Sequence, residues 1–371
     1  MTAYHLLIDG RHIDGRANGL SRFSEELTMA MSKLQGVRLT VVSNREITPR
    51  RSLPAHVNQL VDRSAWARLP GSLWLSARLP TIARQLRATH VLGTIHLLPG
   101  LKPKGLIYGL LMHDLVYIFF PETMTSTNRW LSRFLVPRSL RLADHIFAVS
   151  RTTLDDIARQ YPGLGASTQV AYPGTTFLAP SQLPVPANGP LRLLFVGSRE
   201  PRKNLSSLLQ AFDIALRRGF SGELHLVSGA RWGRDKLSSI IDRYADRGII
   251  IHEKISDSVL IKLYETIDYL VMPSLYEGLG LPVLEAVGRC AVLANDIPVF
   301  RELGEHIDGI SYLRFQEDSG SLEVLANEFL NLRRCKPAQF RGATIQQQFT
   351  WETCARTILQ SLLSEERKSR S

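Results

Sequence analysis

Residues 268–295 read DYLVMPSLYEGLGLPVLEAVGRCAVLAN. DYLVMPS (268–274) and AVLAN (291–295) are short continuous apolar runs. LPVLEAVGR between them (281–289) has a helical pattern, with Pro282 suited to a first turn. Strand, loop, helix and strand in that order belong to a parallel sheet covered on both faces. The loop is the unusual part. Glu277 and Glu285 bracket it, and Gly278 and Gly280 let its backbone approach a ligand without Cβ interference. A helix start offers free N–H groups and the positive end of the dipole, which suits a phosphate. A carboxylate beside a phosphate is unfavourable unless it accepts hydrogen bonds from hydroxyl groups. A ligand that carries both groups is a nucleotide sugar. The other reading is a helix start whose acids favour the dipole, and the spacing alone leaves both open.

The same alternation extends in both directions. In the second half LRLLFVG (191–197), ELHLVSG (223–229) and GIIIHE (248–253) read as strands, separated by helices such as 204–218 and 256–267. In the first half HLLID (5–9), LTVVS (39–43), LIYGLLM (106–112) and HIFAVS (145–150) do the same, with a helix over 21–34. Two doubly wound α/β units in series follow. Between them TTFLAPSQLPVPANGP (175–190) has four prolines and no clear period, so it reads as a linker. The expected division is a first domain over 1–175, a linker over 176–190 and a second domain over 191–355. A C-terminal helix and tail, 356–371, can cross back to the first domain. In open parallel sheets ligands bind beyond the carboxyl ends of the strands.

Composition narrows the function. A chain of 371 residues suits two domains. No run approaches the ~18 apolar residues of a membrane span, and the N-terminus MTAYHLLIDGRH has no export-signal pattern. The three cysteines, Cys290, Cys335 and Cys354, are scattered, which argues against a disulfide framework or a thiolate metal site and fits a reducing cytoplasm. The net charge is +11. Residues 1–180 hold 21 basic and 11 acidic side chains, against 24 and 23 in the remainder, so nearly all the excess lies in the first half. A basic half implies an anionic partner. Nucleic acid is disfavoured, because no RNP, zinc-finger or helix-turn-helix signature is present.

Three further loops carry candidate chemistry. SREPRKN follows the strand that ends at Gly197, so Arg199, Arg202 and Lys203 stand where cations neutralise a diphosphate. GLLMHDLVY (109–117) runs from an apolar strand into His113 and Asp114, and a histidine there is a candidate for contact with the reacting group. GRANGLSRF (15–23) leads into a helix with Gly15 and Gly19, but it lacks a full G-x-G-x-x-G pattern.

Together these stretches resemble a retaining glycosyltransferase of family 4 with the GT-B fold, in which two Rossmann-like domains face a central cleft. The E-x7-E motif is YEGLGLPVLE, from Glu277 to Glu285. NGLSRF (18–23), MHD (112–114), ADHIFAVS (143–150), VGSREPRKNL (196–205), LVSGARWG (226–233), SDSVLIKLYETIDYLVMPSLYEG (256–278) and FTWE (349–352) match in order, so the resemblance covers nearly the whole chain. It implies catalytic roles for His113, beside the transferred sugar, and for Glu277, on the donor sugar hydroxyls. Gly19, Arg202, Lys203, Gly280 and Leu281 would hold the donor diphosphate, Glu285 the ribose, and Ile255 the base. The chain departs from the family in Leu279, Ser198 and Cys290, where many members have Phe, Arg and Pro.

The implied activity is transfer of a hexose or deoxyhexose, mannose- or rhamnose-type favoured, with its anomeric configuration kept. The donor would be a GDP-sugar, or failing that a UDP-sugar. The acceptor would be a saccharide or lipid-linked oligosaccharide of a surface polysaccharide such as O-antigen or capsule. No D-x-D pair is present, so neither a metal nor a further cofactor is expected. The competing reading is a nucleotide-sugar-binding protein without transfer activity. Finally, RSAWARLPGSLWLSARLPTIARQLR (63–87) and RWLSRFLVPRSLR (129–141) mix arginine with Trp, Leu and Phe and contain no acid. They suit an anionic membrane surface, with Arg78, Arg84 and Arg87 as contacts and the inner face of the cytoplasmic membrane as location. The alternative is that the aromatics pack in the first domain's core.

Overall fold

The computed structural model describes residues 4–15, 19–175, 177, 189–228 and 248–369, the last five by backbone alone. Asn18 of NGLSRF, GARWG of the 226–233 stretch and most of the 175–190 segment lie outside the described residues. The chain forms two compact units, 1–174 with 347–371 and 175–346.

The first unit is built on β1 (Tyr4–Asp9), β2 (Val37–Ser43), β3 (Asn58–Val61), β4 (His90–Gly93), β5 (Ile107–Met112), β6 (His145–Ala148) and β7 (Ser167–Val170), in the order β3-β2-β1-β4-β5-β6-β7. Every pairing is parallel. The apolar runs predicted from sequence supply β1, β2, β5 and β6, which are buried at nearly every position because helices cover both faces. Trp74, on helix α1 (Gly71–Gln85), and Tyr108, on β5, are fully buried in the core. The last helix, α2 (Trp351–Ser369), returns to this sheet. His90 Nε2–H donates to the Leu362 carbonyl (3.1 Å), and Ser361 Oγ meets His145 Nδ1 (3.0 Å). Gly109 on β5 gives Leu362 its place, since a Cβ there would stand 2.9 Å from Leu362 Cδ2.

The second unit carries β8 (Leu191–Val196), β9 (Gly222–Ser228), β10 (Ile249–Glu253), β11 (Tyr269–Met272), β12 (Ala291–Asn295) and β13 (Ile310–Leu313), in the order β10-β9-β8-β11-β12-β13. These pairings are also parallel. Both sheets reverse their winding beside their first strand, at β1/β4 and at β8/β11, and ligands of open α/β sheets sit outside the strand ends at such switch points.

Candidate functional site

In the second unit the loop after β8 and the loop after β11 meet at the switch point. Pro201 opens a single 3-10 turn, Pro201–Lys203, and Asn204 closes it in the left-handed region (φ 52°). Asparagine tolerates that backbone better than most residues. Its buried amide donates to the carbonyls of Pro273 (3.2 Å) and Phe315 (2.9 Å), beyond the ends of β11 and β13. Leu275 N–H donates to the Arg202 carbonyl (2.8 Å). Asn295, at the end of β12, donates to the Ser274 carbonyl (3.0 Å) and accepts from Phe315 N–H (3.2 Å). Two buried asparagines thus join four strand ends, and they fix where Arg202, Lys203 and Glu277 stand.

Glu277 is 6% exposed and lies between the two cations. Its carboxylate accepts from Lys203 Nζ (2.5 Å), Arg202 Nη1 (3.1 Å) and Ser274 Oγ (2.8 Å). Burial alone would push its carboxyl up, but the charges of Lys203 and then Arg202 outweigh that and hold it below the usual range. Arg202 also donates from Nε to Glu200 (2.8 Å) and from Nη1 to the Tyr276 carbonyl (3.3 Å). The site therefore holds two fixed cations whose charge is balanced by carboxylates.

Gly280 begins a short helix, α3 (Leu281–Ala286), from a left-handed position (φ 90°). A Cβ at Gly280 would stand 2.8 Å from Phe300 Cε1, so the chain's own packing demands glycine. This helix is shorter than the 281–289 read from the sequence. Gly288 turns left-handed (φ 78°), its N–H goes to the Ala338 carbonyl (2.7 Å), and Cys290 is buried. Leu281 and Pro282 occupy the first turn. Glu285 is buried and has a separate anchor, the hydroxyl of Tyr264 (2.9 Å), while the Arg289 guanidinium donates to the Glu285 carbonyl (3.1 Å). Ile255 is half-buried just past β10, between left-handed Lys254 and the N-capping Ser256, at the same edge of the sheet.

In the first unit His113 follows β5. Its ring Nε2–H donates to the Thr94 carbonyl (2.8 Å), which leaves Nδ1 as its acceptor nitrogen. Its backbone N–H donates to His96 Nε2 (3.0 Å), and the edge of the Phe23 ring lies 4.4 Å away between centroids. Burial, with the neighbouring His96 ring, pushes the His113 imidazole down to about 4, so it is neutral at pH 7. Gly19 is the first residue of the helix Gly19–Ser32 that follows β1. A Cβ there would meet nothing within 4 Å, and its backbone is not left-handed.

The structure brings Glu277, Arg202 and Lys203 into one cluster and gives Glu285 and His113 anchors of their own. Sequence reasoning missed Thr94, His96, Asn204 and Asn295. Asn204 had a signal, since an asparagine before a helix is a turn or cap residue. Its actual duty, to carbonyls on distant strands, had none.

Comparison with known proteins places this geometry. Residues 190–332 match the family model Glycosyl transferases group 1. The chain is 31% identical over 175 residues to O-antigen chain mannosyltransferase B of Escherichia coli, an alignment that covers 43% of this chain and 42% of that relative's length. Sucrose-phosphate synthase from Thermosynechococcus elongatus superposes with a TM-score of 0.70 at 16% identity, over 99% of this chain and 100% of that one. HepE of Anabaena, solved with UDP-glucose, superposes with a TM-score of 0.64 at 17% identity, over 97% and 99%. The two parallel-sheet units are a GT-B fold, the second contains the region that matches Glycosyl transferases group 1, and the chain is homologous over part of its length to an O-antigen mannosyltransferase.

Proposed function

We propose that this GT-B protein is a retaining, metal-independent hexosyltransferase that moves a mannose- or rhamnose-type sugar from a nucleoside diphosphate to a saccharide or lipid-linked acceptor during O-antigen or capsule assembly. One observation carries the reading: Lys203 and Arg202 are held against Glu277 at the β8/β11 switch point. Two preset cations suit the charge that develops on a departing diphosphate, and they need no reorganisation when it forms. Glu277 then accepts hydroxyls of the donor sugar, and Glu285 accepts the ribose. Gly280 and Leu281 face the diphosphate, and Ile255 lies at the base end. Gly19 supports the reading from the first unit, because neither its backbone nor its packing requires glycine. His113 serves the transferred sugar as a hydrogen-bond acceptor through Nδ1. In the reaction the bond from the anomeric carbon to the diphosphate oxygen breaks, the acceptor oxygen bonds on the same face, and its proton passes to the departing diphosphate.

The O-antigen relative is a mannosyltransferase, which supports mannose as the sugar and leaves the nucleotide open, whereas HepE was solved with UDP-glucose. Calorimetry with GDP and UDP, followed by a donor screen against lipid-diphosphate acceptors, tests both points. Nucleotide binding without transfer from any donor would return the protein to the nucleotide-sugar-binding class. Failure to bind either diphosphate would overturn the assignment of the cluster.

We also propose reversible attachment of the first unit to the inner face of the cytoplasmic membrane. No helix among the described residues is long and apolar enough to cross a membrane. The structure moves the candidate surface. Trp74 is fully buried and donates to Asp62 (2.8 Å), and Arg78 lies 3.4 Å from the same carboxylate. Arg78 is therefore withdrawn as a lipid contact. Trp66, Trp130 and Phe134 are 53%, 62% and 57% exposed, and the last two meet with tilted rings, 4.7 Å between centroids, beside Arg129 and Arg133 on the helix Ser126–Leu142. Co-sedimentation with anionic liposomes should fall with salt and with W130S/F134S. Equal binding to neutral liposomes, or none to either, would defeat the idea.

A further inference from the structure

We infer that His96 is a positioning residue for His113, and that its neutral ring sets the acid limit of activity. The activity half of this rests on the transferase reading; the geometry does not.

The chain leaves β4 through a tight turn, in which a Cβ on Gly93 would stand 2.2 Å from the Leu97 carbonyl. His96 takes a left-handed backbone (φ 52°) in that turn, an unusual choice for a residue with a Cβ. Its own N–H donates to the Leu111 carbonyl on neighbouring β5 (3.0 Å). Its ring then reaches past the end of β5, where Nε2 accepts the N–H groups of His113 (3.0 Å) and Asp114 (3.4 Å). A ring nitrogen that accepts two backbone donors carries no proton, so the hydrogen of His96 is on Nδ1. Two residues earlier in the same turn, the Thr94 carbonyl takes the Nε2–H of His113 (2.8 Å). The turn after β4 therefore holds His113 twice, by its main chain and by its ring. It also decides which nitrogen of His113 is left to accept.

This arrangement works in one protonation state only. A proton on His96 Nε2 would set a donor against two donors, and the ring would have to turn away. Its surroundings act in both directions. Burial disfavours a proton on the His96 imidazole, and the Asp114 carboxylate favours it. The neighbouring titratable groups are His113 and His12, the latter among Asp9, Arg11 and Asp14 after β1. Acidification thus releases the backbone of His113 by protonating its neighbour.

The test uses the full chain with ¹⁵N-labelled histidine, together with His96→Gln and His96→Ala. In glutamine the side-chain oxygen takes the place of Nε2, accepts the same N–H groups and does not titrate. The two-bond ¹H–¹⁵N pattern of the wild type should show His96 as the Nδ1–H tautomer. In transfer assays wild-type kcat should fall at low pH with little change in donor KM. H96Q should keep at least half of the neutral kcat and show its acid fall only at the lower pH where His113 itself takes up a proton. H96A should lose tenfold or more in kcat at pH 7.5 with donor KM within twofold. A His96 Nε2–H tautomer, an unchanged acid fall in H96Q, or a wild-type kcat in H96A would each overturn the inference. If H96A does not fold, H96Q decides. If no form of the protein transfers sugar, the transferase reading fails alone, and the His113 ring signals decide: they must move in H96A and stay in H96Q.

Discussion

Glu277→Gln separates two roles of one carboxylate. The substitution keeps the shape and removes one negative charge from a buried cluster. Arg202 retains Glu200, so the cation left without its neutralising carboxylate is Lys203. The side chains of Lys203 and Arg202 are 13% exposed and that of Glu277 is 6%, so water replaces little of what is lost. Removing one partner of a buried pair costs about 3–5 kcal/mol. The surviving Arg202–Glu200 pair places this case near the lower end, at about 3 kcal/mol. For a unit the size of 175–346 that is a fall of roughly 6–12 °C in Tm. A bound diphosphate brings its own negative charge, so saturating GDP or UDP should raise the Tm of E277Q more than that of the wild type. Transfer activity should be lost in either case. The assay is differential scanning fluorimetry with and without nucleotide, at low and high salt. If Glu277 touched only the sugar, the ligand-free Tm would stay within a degree or two and the nucleotide shifts would match. That result would falsify the cluster as a preset, charge-balanced diphosphate site.

Two glycines should behave in opposite ways. Gly280→Ala forces a Cβ onto Phe300 in a left-handed backbone and should destabilise the second unit by about 2–4 kcal/mol. Gly19→Ala should leave the Tm unchanged or slightly raised while weakening donor binding at least fivefold by calorimetry; unaltered binding would remove Gly19 from the diphosphate site. Asn204→Ala gives up two buried hydrogen bonds and puts alanine in a left-handed turn, a loss of about 3 kcal/mol, whereas Asn204→Gly should recover the backbone share, about 1 kcal/mol. Equal stability of the two variants in urea would refute the split. Because the folded His113 imidazole lies at about 4 against 6.5 in the unfolded chain, the unfolded state takes up a proton first as the pH falls. Its contribution is complete above pH 6.5 and drains away towards pH 4, about 3 kcal/mol in all. Urea midpoints of the first unit that held constant from pH 7 to 4.5 would count against it.

The parts legible in the sequence were those that carry their own pattern. β1, β2, β5, β6, β8, β11 and β12 are largely apolar runs, and burial on both faces is what makes such runs visible, whereas β9 alternates buried and half-buried positions and β10 lies at an edge. β3 (NQLV), β4 (HVLG), β7 (STQV) and β13 (ISYL) went unread. β3 and β7 are edge strands with mixed polarity, half-exposed or exposed, while β4 is buried but only four residues long. In the site, Arg202, Lys203 and Glu277 could be listed from sequence, but not their mutual ion pairs, which depend on the Asn204 and Asn295 bonds between remote strand ends. The aromatic-arginine stretches were ambiguous for a related reason. Helical spacing cannot say which of Trp66, Trp74 and Trp130 faces inward, and only Trp74 does.

The second unit interrupts the first, and this has a consequence during synthesis. A ribosome delivers β1 to β7 early, yet α2, which supplies the Leu362 side chain over Gly109 and the Leu362 carbonyl to His90, is translated only after the second unit. Units that fold as the chain emerges normally finish from the N-terminus onward. Here the earlier-made sheet waits with part of its surface uncovered while residues 175–346, a continuous stretch, emerge ahead of α2. The nascent first unit is therefore the stage at which the chain is open to chaperones and to misassociation. A stop codon just before α2 would damage the unit whose sheet was made first.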